Sequence, residues 1–83
     1  MQITKEIRTS LEREYALCSH AAAFYRKAVR DFELKYRLTT KTFLKRFDAG
    51  TLGDDEDYFD WYAFAQLLAR WQETQAALRS AVR

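Results

Sequence analysis

Apolar residues recur along the first part of the chain at alternating spacings of four and three, from Leu11 to Tyr36. This spacing places them on one face of a helix, as in a coiled coil. No Gly or Pro interrupts the segment, and a helix that starts at Thr4 or just before it would extend about 50 Å. Such a helix must overhang a compact domain, bend near Cys18, or pack on another chain. The pattern predicts a first long helix that ends before Leu38.

The same spacing returns in the last third of the chain, between Trp61 and Val82. Four acids precede it as the run 54–57, and acids suit the positive end of a helix dipole. Asp54 or Asp55 can cap the helix start. The pattern therefore predicts a second long helix that opens with this acidic turn and continues to the end of the chain.

A short helix is predicted between the two long ones, over residues 41–49. Thr39 or Thr40 can cap its start, and Gly50 follows it where a left-handed residue closes a helix without steric cost. Gly50 and Gly53 are the two glycines of the chain, and they mark the turn into the second long helix. We expect one aromatic cluster at this elbow, with these residues as its structural members: Phe32, Tyr36, Phe43, Phe47 and a fully buried Trp61.

These elements predict an all-α fold of one domain, residues 1–83: a helical hairpin of two long antiparallel helices joined by a short one. The 83 residues include 13 aromatic side chains, more than a small helical monomer can cover. We therefore expect a homodimer or higher homo-oligomer, packed as a helical bundle. The residues predicted to bind a partner are Ile7, Leu11, Tyr15, Trp71, Leu78 and Val82.

Charge is unevenly distributed along the chain. Residues 1–47 carry 11 Lys and Arg against 5 acids, whereas residues 48–83 carry 3 Arg against 7 acids. The basic half favours a solvated face or a surface for an acidic protein partner; the alternative is RNA or DNA bound by the face of residues 26–46. For that alternative the predicted contacts are Arg26, Lys27, Arg30, Arg37, Lys41 and Lys45.

No residue pattern indicates catalysis, a metal site or a cofactor. The acidic run 54–57 lacks the alternating ligands of a calcium loop, and Cys18 and His20 do not share a helix face. The single Cys excludes an internal disulfide, and the chain has neither a secretory signal nor an apolar run that would span a membrane. These features predict a cytoplasmic protein that is not an enzyme.

The central stretch resembles a group of short prokaryotic helical proteins that are often described as uncharacterised or as antitoxins of two-gene toxin–antitoxin modules. The resemblance rests on about 30 residues, chiefly Phe32, Tyr36, Phe43, Phe47, Gly50, Leu52-Gly53-Asp54, Asp57, Phe59 and Trp61. It implies a protein–protein interaction module, an antitoxin-like partner that binds and neutralises a toxin protein.

Overall fold

The computed structural model describes the backbone of residues 4–82 and the side chains of residues 4–81. Within this range the chain forms three helices and no strand: α1 (Lys5–Tyr36), α2 (Thr40–Asp48) and α3 (Glu56–Val82). The predicted all-α fold and the order long–short–long are confirmed.

The two long helices pack side by side in opposite directions. Near the closed end, the rings of Tyr36 and Tyr58 lie 5.3 Å apart, and towards the open end Gln75 Nε2 donates a hydrogen bond of 2.8 Å to Ser19 Oγ. α1 remains helical through Cys18, and the molecule measures 52 × 20 × 17 Å. The chain is therefore a long rod with two helices over most of its length, because α1 is continuous.

Helix starts are set by the short polar side chains that precede them. Thr4 Oγ1 accepts from the Ile7 N–H and Thr39 Oγ1 from the Thr42 N–H, each at 3.2 Å. Asp55 Oδ1 accepts from the Asp57 N–H at 2.8 Å. The first turn of α3 therefore begins after Asp55, and the expectation that all four acids lie in that turn is wrong. Asp54 is exposed and precedes the capping residue.

Two residues with left-handed backbone end the first two helices. Gly50 has φ 70° just beyond the end of α2, as predicted. Gly53 does not adopt a left-handed conformation, so the turn into α3 requires only one glycine of this kind. Arg37 has φ 51° and caps the end of α1, a conformation that costs a residue with a Cβ about 1–2 kcal/mol.

The core is concentrated at the closed end of the hairpin. Trp61 and Phe43 are completely buried, and their rings stack at 3.9 Å between centroids. Phe32 and Tyr36 stack on Trp61 at 5.8 and 6.0 Å, while Phe47 lies 5.7 Å from Phe43. The predicted aromatic cluster and the burial of Trp61 are confirmed.

Candidate functional site

A groove of about 800 Å³ runs along one side of the hairpin, where α2 meets α1 and α3. Its volume lies within the range of protein ligand sites. The floor is made of apolar side chains that α1, α2, α3 and the α1–α2 connection contribute together: Val29, Leu38, Leu44, Ala65 and Leu68. Val29 is buried and the other four are half-buried. The groove therefore offers an apolar surface that is only partly covered.

Three arginines line the groove from the α1 side: Arg26, Arg30 and Arg37. All three are exposed, and each guanidinium group offers five N–H donors to an acidic ligand. Leu34, which is 69% exposed, lies between them in sequence and adds apolar area at the mouth. This combination of apolar floor and basic rim can hold a ligand that is apolar on one side and acidic on its edge.

The acid among the lining residues, Glu33, is used to hold α2 in place. Its Oε2 accepts from the backbone N–H of Thr40 at 2.8 Å and from the Thr40 hydroxyl at 2.9 Å. A carboxylate at this position also compensates the positive end of the α2 dipole. The Thr40 Oγ1 in turn accepts from Trp61 Nε1 at 3.1 Å. Glu33 keeps its negative charge in these hydrogen bonds, so the groove is lined by three arginines and one carboxylate.

A second polar cluster fastens the end of α1 to the start of α3. Asp57 Oδ2 accepts from Lys35 Nζ and from the Tyr36 hydroxyl, both at 2.6 Å. The hydrogen bonds from Lys35 and then Tyr36 hold the pKa of Asp57 below its ordinary value. The same contacts raise the pKa of Lys35 and of Tyr36. This cluster fixes the two long helices at the closed end, next to the aromatic core.

The structure divides the residues predicted to contact nucleic acid. Arg26, Arg30 and Arg37 lie together along the groove. Lys27 lies outside it and pairs with Asp31 at 2.9 Å. The two lysines of α2, Lys41 and Lys45, are exposed and do not line the groove. Of the six residues predicted for the nucleic-acid alternative, the three arginines therefore lie along the groove and the three lysines lie outside it.

The residues predicted to bind a partner are spread along the open half of the hairpin. Ile7 is 50% exposed, and four others are half-buried: Leu11, Tyr15, Trp71 and Leu78. The side chain of Val82 lies outside the described residues.

Leu17 and Phe24 were not among the residues predicted to bind a partner. They are 55% and 64% exposed, although each is a large apolar side chain. Their spacing of seven residues, to one side of the seam, is the signal in the sequence that marks a second apolar stripe.

Within residues 4–82, no three His, Cys, Asp or Glu side chains come together as a metal site requires. In the same range, none of the helices combines the length and apolar character needed to cross a membrane. No family model, curated protein or solved structure matches the chain.

Proposed function

We propose that this chain is a non-enzymatic protein-interaction module whose groove holds an acidic amphipathic helix of another protein. One observation carries the proposal: an apolar floor built from all parts of the hairpin lies beside three exposed arginines. Amphipathic helices bind in such grooves through apolar residues one turn apart, and acidic side chains at the helix edge would pair with the guanidinium groups.

The charge around the groove favours an acidic protein over nucleic acid as the ligand. Phosphate backbones are bound by extended rows of basic groups in water, and most of the affinity comes from those groups. Here Lys27 is paired with Asp31 outside the groove, and the remaining arginines border apolar side chains that a phosphate backbone would not use. The alternative ligand, RNA or DNA, is therefore an outcome that the binding experiment must distinguish.

The test compares four fluorescent probes by anisotropy. They are an amphipathic peptide of about 18 residues with Leu on one face and Glu beside it, the same peptide with Lys for Glu, a single-stranded RNA of about 20 nucleotides and a DNA duplex of about 20 base pairs. We expect the acidic peptide to bind and the basic peptide not to bind. RNA or DNA binding that weakens steeply with salt, without acidic-peptide binding, would replace this proposal by the nucleic-acid alternative.

Matched charge reversals locate the binding site. Arg30→Glu changes a groove residue, and Lys27→Glu makes the same change at an exposed position outside the groove. We expect Arg30→Glu to raise the dissociation constant of the acidic peptide about tenfold or more, and Lys27→Glu to change it less than about twofold. Leu34→Ser tests the apolar contribution at a side chain exposed enough to leave folding intact. Equal effects of the two reversals would exclude the groove as the site.

The more specific form of the proposal is that the partner is a toxin and that this chain neutralises it. Support for that form comes from the family resemblance of the central stretch. Expression of the reading frame adjacent to its gene tests it directly. Arrest of growth by that product, relieved by this chain and not by its Arg30→Glu variant, is the expected result. If the neighbouring product does not affect growth, the proposal that this chain neutralises a toxin is wrong, whereas the proposal that the groove binds an acidic helix is unaffected.

A further inference from the structure

The side of the hairpin opposite the groove carries an apolar surface, which we call the outer face. On α1 it is formed by Leu17, Ala21 and Phe24, and on α3 by Leu67 and Trp71, which lie about 160° around the helix from the groove residues Ala65 and Ala69, respectively. At 100° per residue, Leu17 lies about 140° around α1 from Arg30, and Phe24 about 160° from Arg26. α2 contributes Leu44 to the groove and so packs on that other side. Within residues 4–81, Leu17 and Phe24 remain 55% and 64% exposed.

The chain exposes more surface than a compact monomer of the same mass. Its accessible surface is 6462 Å², whereas a compact monomer of 9.9 kDa exposes about 5,200 Å². The excess of about 1,300 Å² exceeds the roughly 800 Å² that each partner contributes to a protein–protein interface of standard size. The radius of gyration is 16.5 Å, against about 12 Å for a compact domain. Both this value and the excess surface result from the elongated shape of the two-helix rod. One further rod of equal length along the outer face would cover this excess.

The charges beside the outer face fit a second copy of the same chain. Arg13 and Asp31 lie on the same edge of the α1 stripe, on opposite sides of its centre at Ala21. When two α1 helices pack antiparallel about a two-fold axis, the same edges meet. Arg13 of each copy then lies beside Asp31 of the other, which also pairs with Lys27 of its own chain, and Leu17 lies beside Phe24. The small Ala21 at the centre lets the two helices approach closely.

We propose that the outer face is a two-fold self-association surface through which two hairpins form a four-helix bundle. The α1 helices of the two copies cross antiparallel near Ala21, and Trp71 of each copy becomes buried beside them. This arrangement leaves both grooves on the outside of the bundle. It does not depend on the function proposed for the groove, since the two surfaces lie on opposite sides of the hairpin.

Sedimentation equilibrium of the full chain, from submicromolar to about 100 μM, tests the proposal. We expect a mass of twice 9.9 kDa for the native chain. Phe24→Glu should give a monomer at these concentrations with its helical circular dichroism retained, because the side chain is 64% exposed within one copy. Leu34→Glu is the matched control, at a more exposed apolar side chain on the groove side, and should remain dimeric. A native monomer throughout, or a dimer lost in Leu34→Glu and kept in Phe24→Glu, would overturn the proposal.

Charge exchange tests the antiparallel arrangement independently of apolar packing. Arg13→Glu and Asp31→Arg should each weaken dimerisation, by about threefold to tenfold, because like charges then meet twice across the two-fold axis. The double variant Arg13→Glu with Asp31→Arg restores opposite charges and should regain most of the affinity. If the double variant is as weak as the two single variants combined, the helices do not pair in this way.

Discussion

Trp61 is the side chain whose loss should cost this fold most. It is completely buried, its ring stacks on Phe43 at 3.9 Å, and its Nε1 donates to Thr40 Oγ1. Burial of about 200 Å² of indole at about 25 cal/mol per Å² gives an upper limit near 5 kcal/mol, and the hydrogen bond adds about 1 kcal/mol. Allowing for partial collapse of the cavity, we expect Trp61→Ala to cost about 4 kcal/mol. A domain of this length has a total stability of about 4–12 kcal/mol, so the variant should lose about a third of it or more.

Urea denaturation followed by far-ultraviolet circular dichroism measures this loss. Trp61→Phe serves as a graded variant, because it can keep the stack on Phe43 while losing the N–H and the second ring. It should cost about 2 kcal/mol. Trp71→Ala is the matched control at the other tryptophan, which is half-buried. Its cost should also be about 2 kcal/mol and should depend on protein concentration, because in the proposed dimer the second copy would cover part of that side chain.

Two results would refute this reasoning. Equal, concentration-independent losses in Trp61→Ala and Trp71→Ala would show that the closed end is no more important to stability than the open end. A Trp61→Phe variant as unstable as Trp61→Ala would show that the hydrogen bond to Thr40, and not the aromatic packing, dominates the contribution of this residue.

Three further predictions concern the backbone and the polar clusters. Gly50→Ala should destabilise by about 1–2 kcal/mol in chemical denaturation, purely through its φ of 70°, because an added Cβ would meet no atom within 4 Å. Arg37→Gly should stabilise by about 0.5–1 kcal/mol, since it relieves a left-handed residue that has a Cβ, and should at the same time weaken acidic-peptide binding. The folded pKa of Asp57 lies below its unfolded value of about 4, so its contribution to stability is present above that value and is lost as pH falls through the folded pKa. Between about pH 5 and pH 2, the melting temperature should therefore fall less steeply for Asp57→Asn than for the native chain. An equal fall of the melting temperature in both proteins would contradict the role of this cluster.

The helices could be predicted because their signals are local in sequence. Apolar residues of the long helices repeat at spacings of three and four, threonines precede two of the helices, and Gly50 follows the end of the short helix. Burial of Trp61 also followed from its position beside the elbow. These signals depend on a residue and its neighbours within one or two helical turns, so they can be recognised in the sequence without knowing how the helices pack.

The groove could not be predicted, because it depends on how α2 lies against the two long helices. Glu33 reaches Thr40 seven residues later, and Thr40 meets Trp61 a further 21 residues on. No periodic pattern connects these positions. The left-handed Arg37 was missed for a related reason: the turn between α1 and α2 contains no glycine to indicate it. Arg30 lines the groove and Lys27 does not. This difference can be seen only when the packing of α3 on α1 shows which face of α1 points inward.

The unequal distribution of the core implies that the hairpin does not open uniformly. Large rings fill the closed end around Trp61, whereas the buried residues of the open half are the small side chains of Cys18 and Ala22. Local opening starts where the fewest apolar contacts are lost, so the terminal turns should fray first and their amide hydrogens should exchange fastest with solvent. Amides around Phe43 and Trp61 should exchange only through global unfolding. The groove borders this slow-exchanging end and therefore keeps its shape while the far end of the hairpin opens and closes.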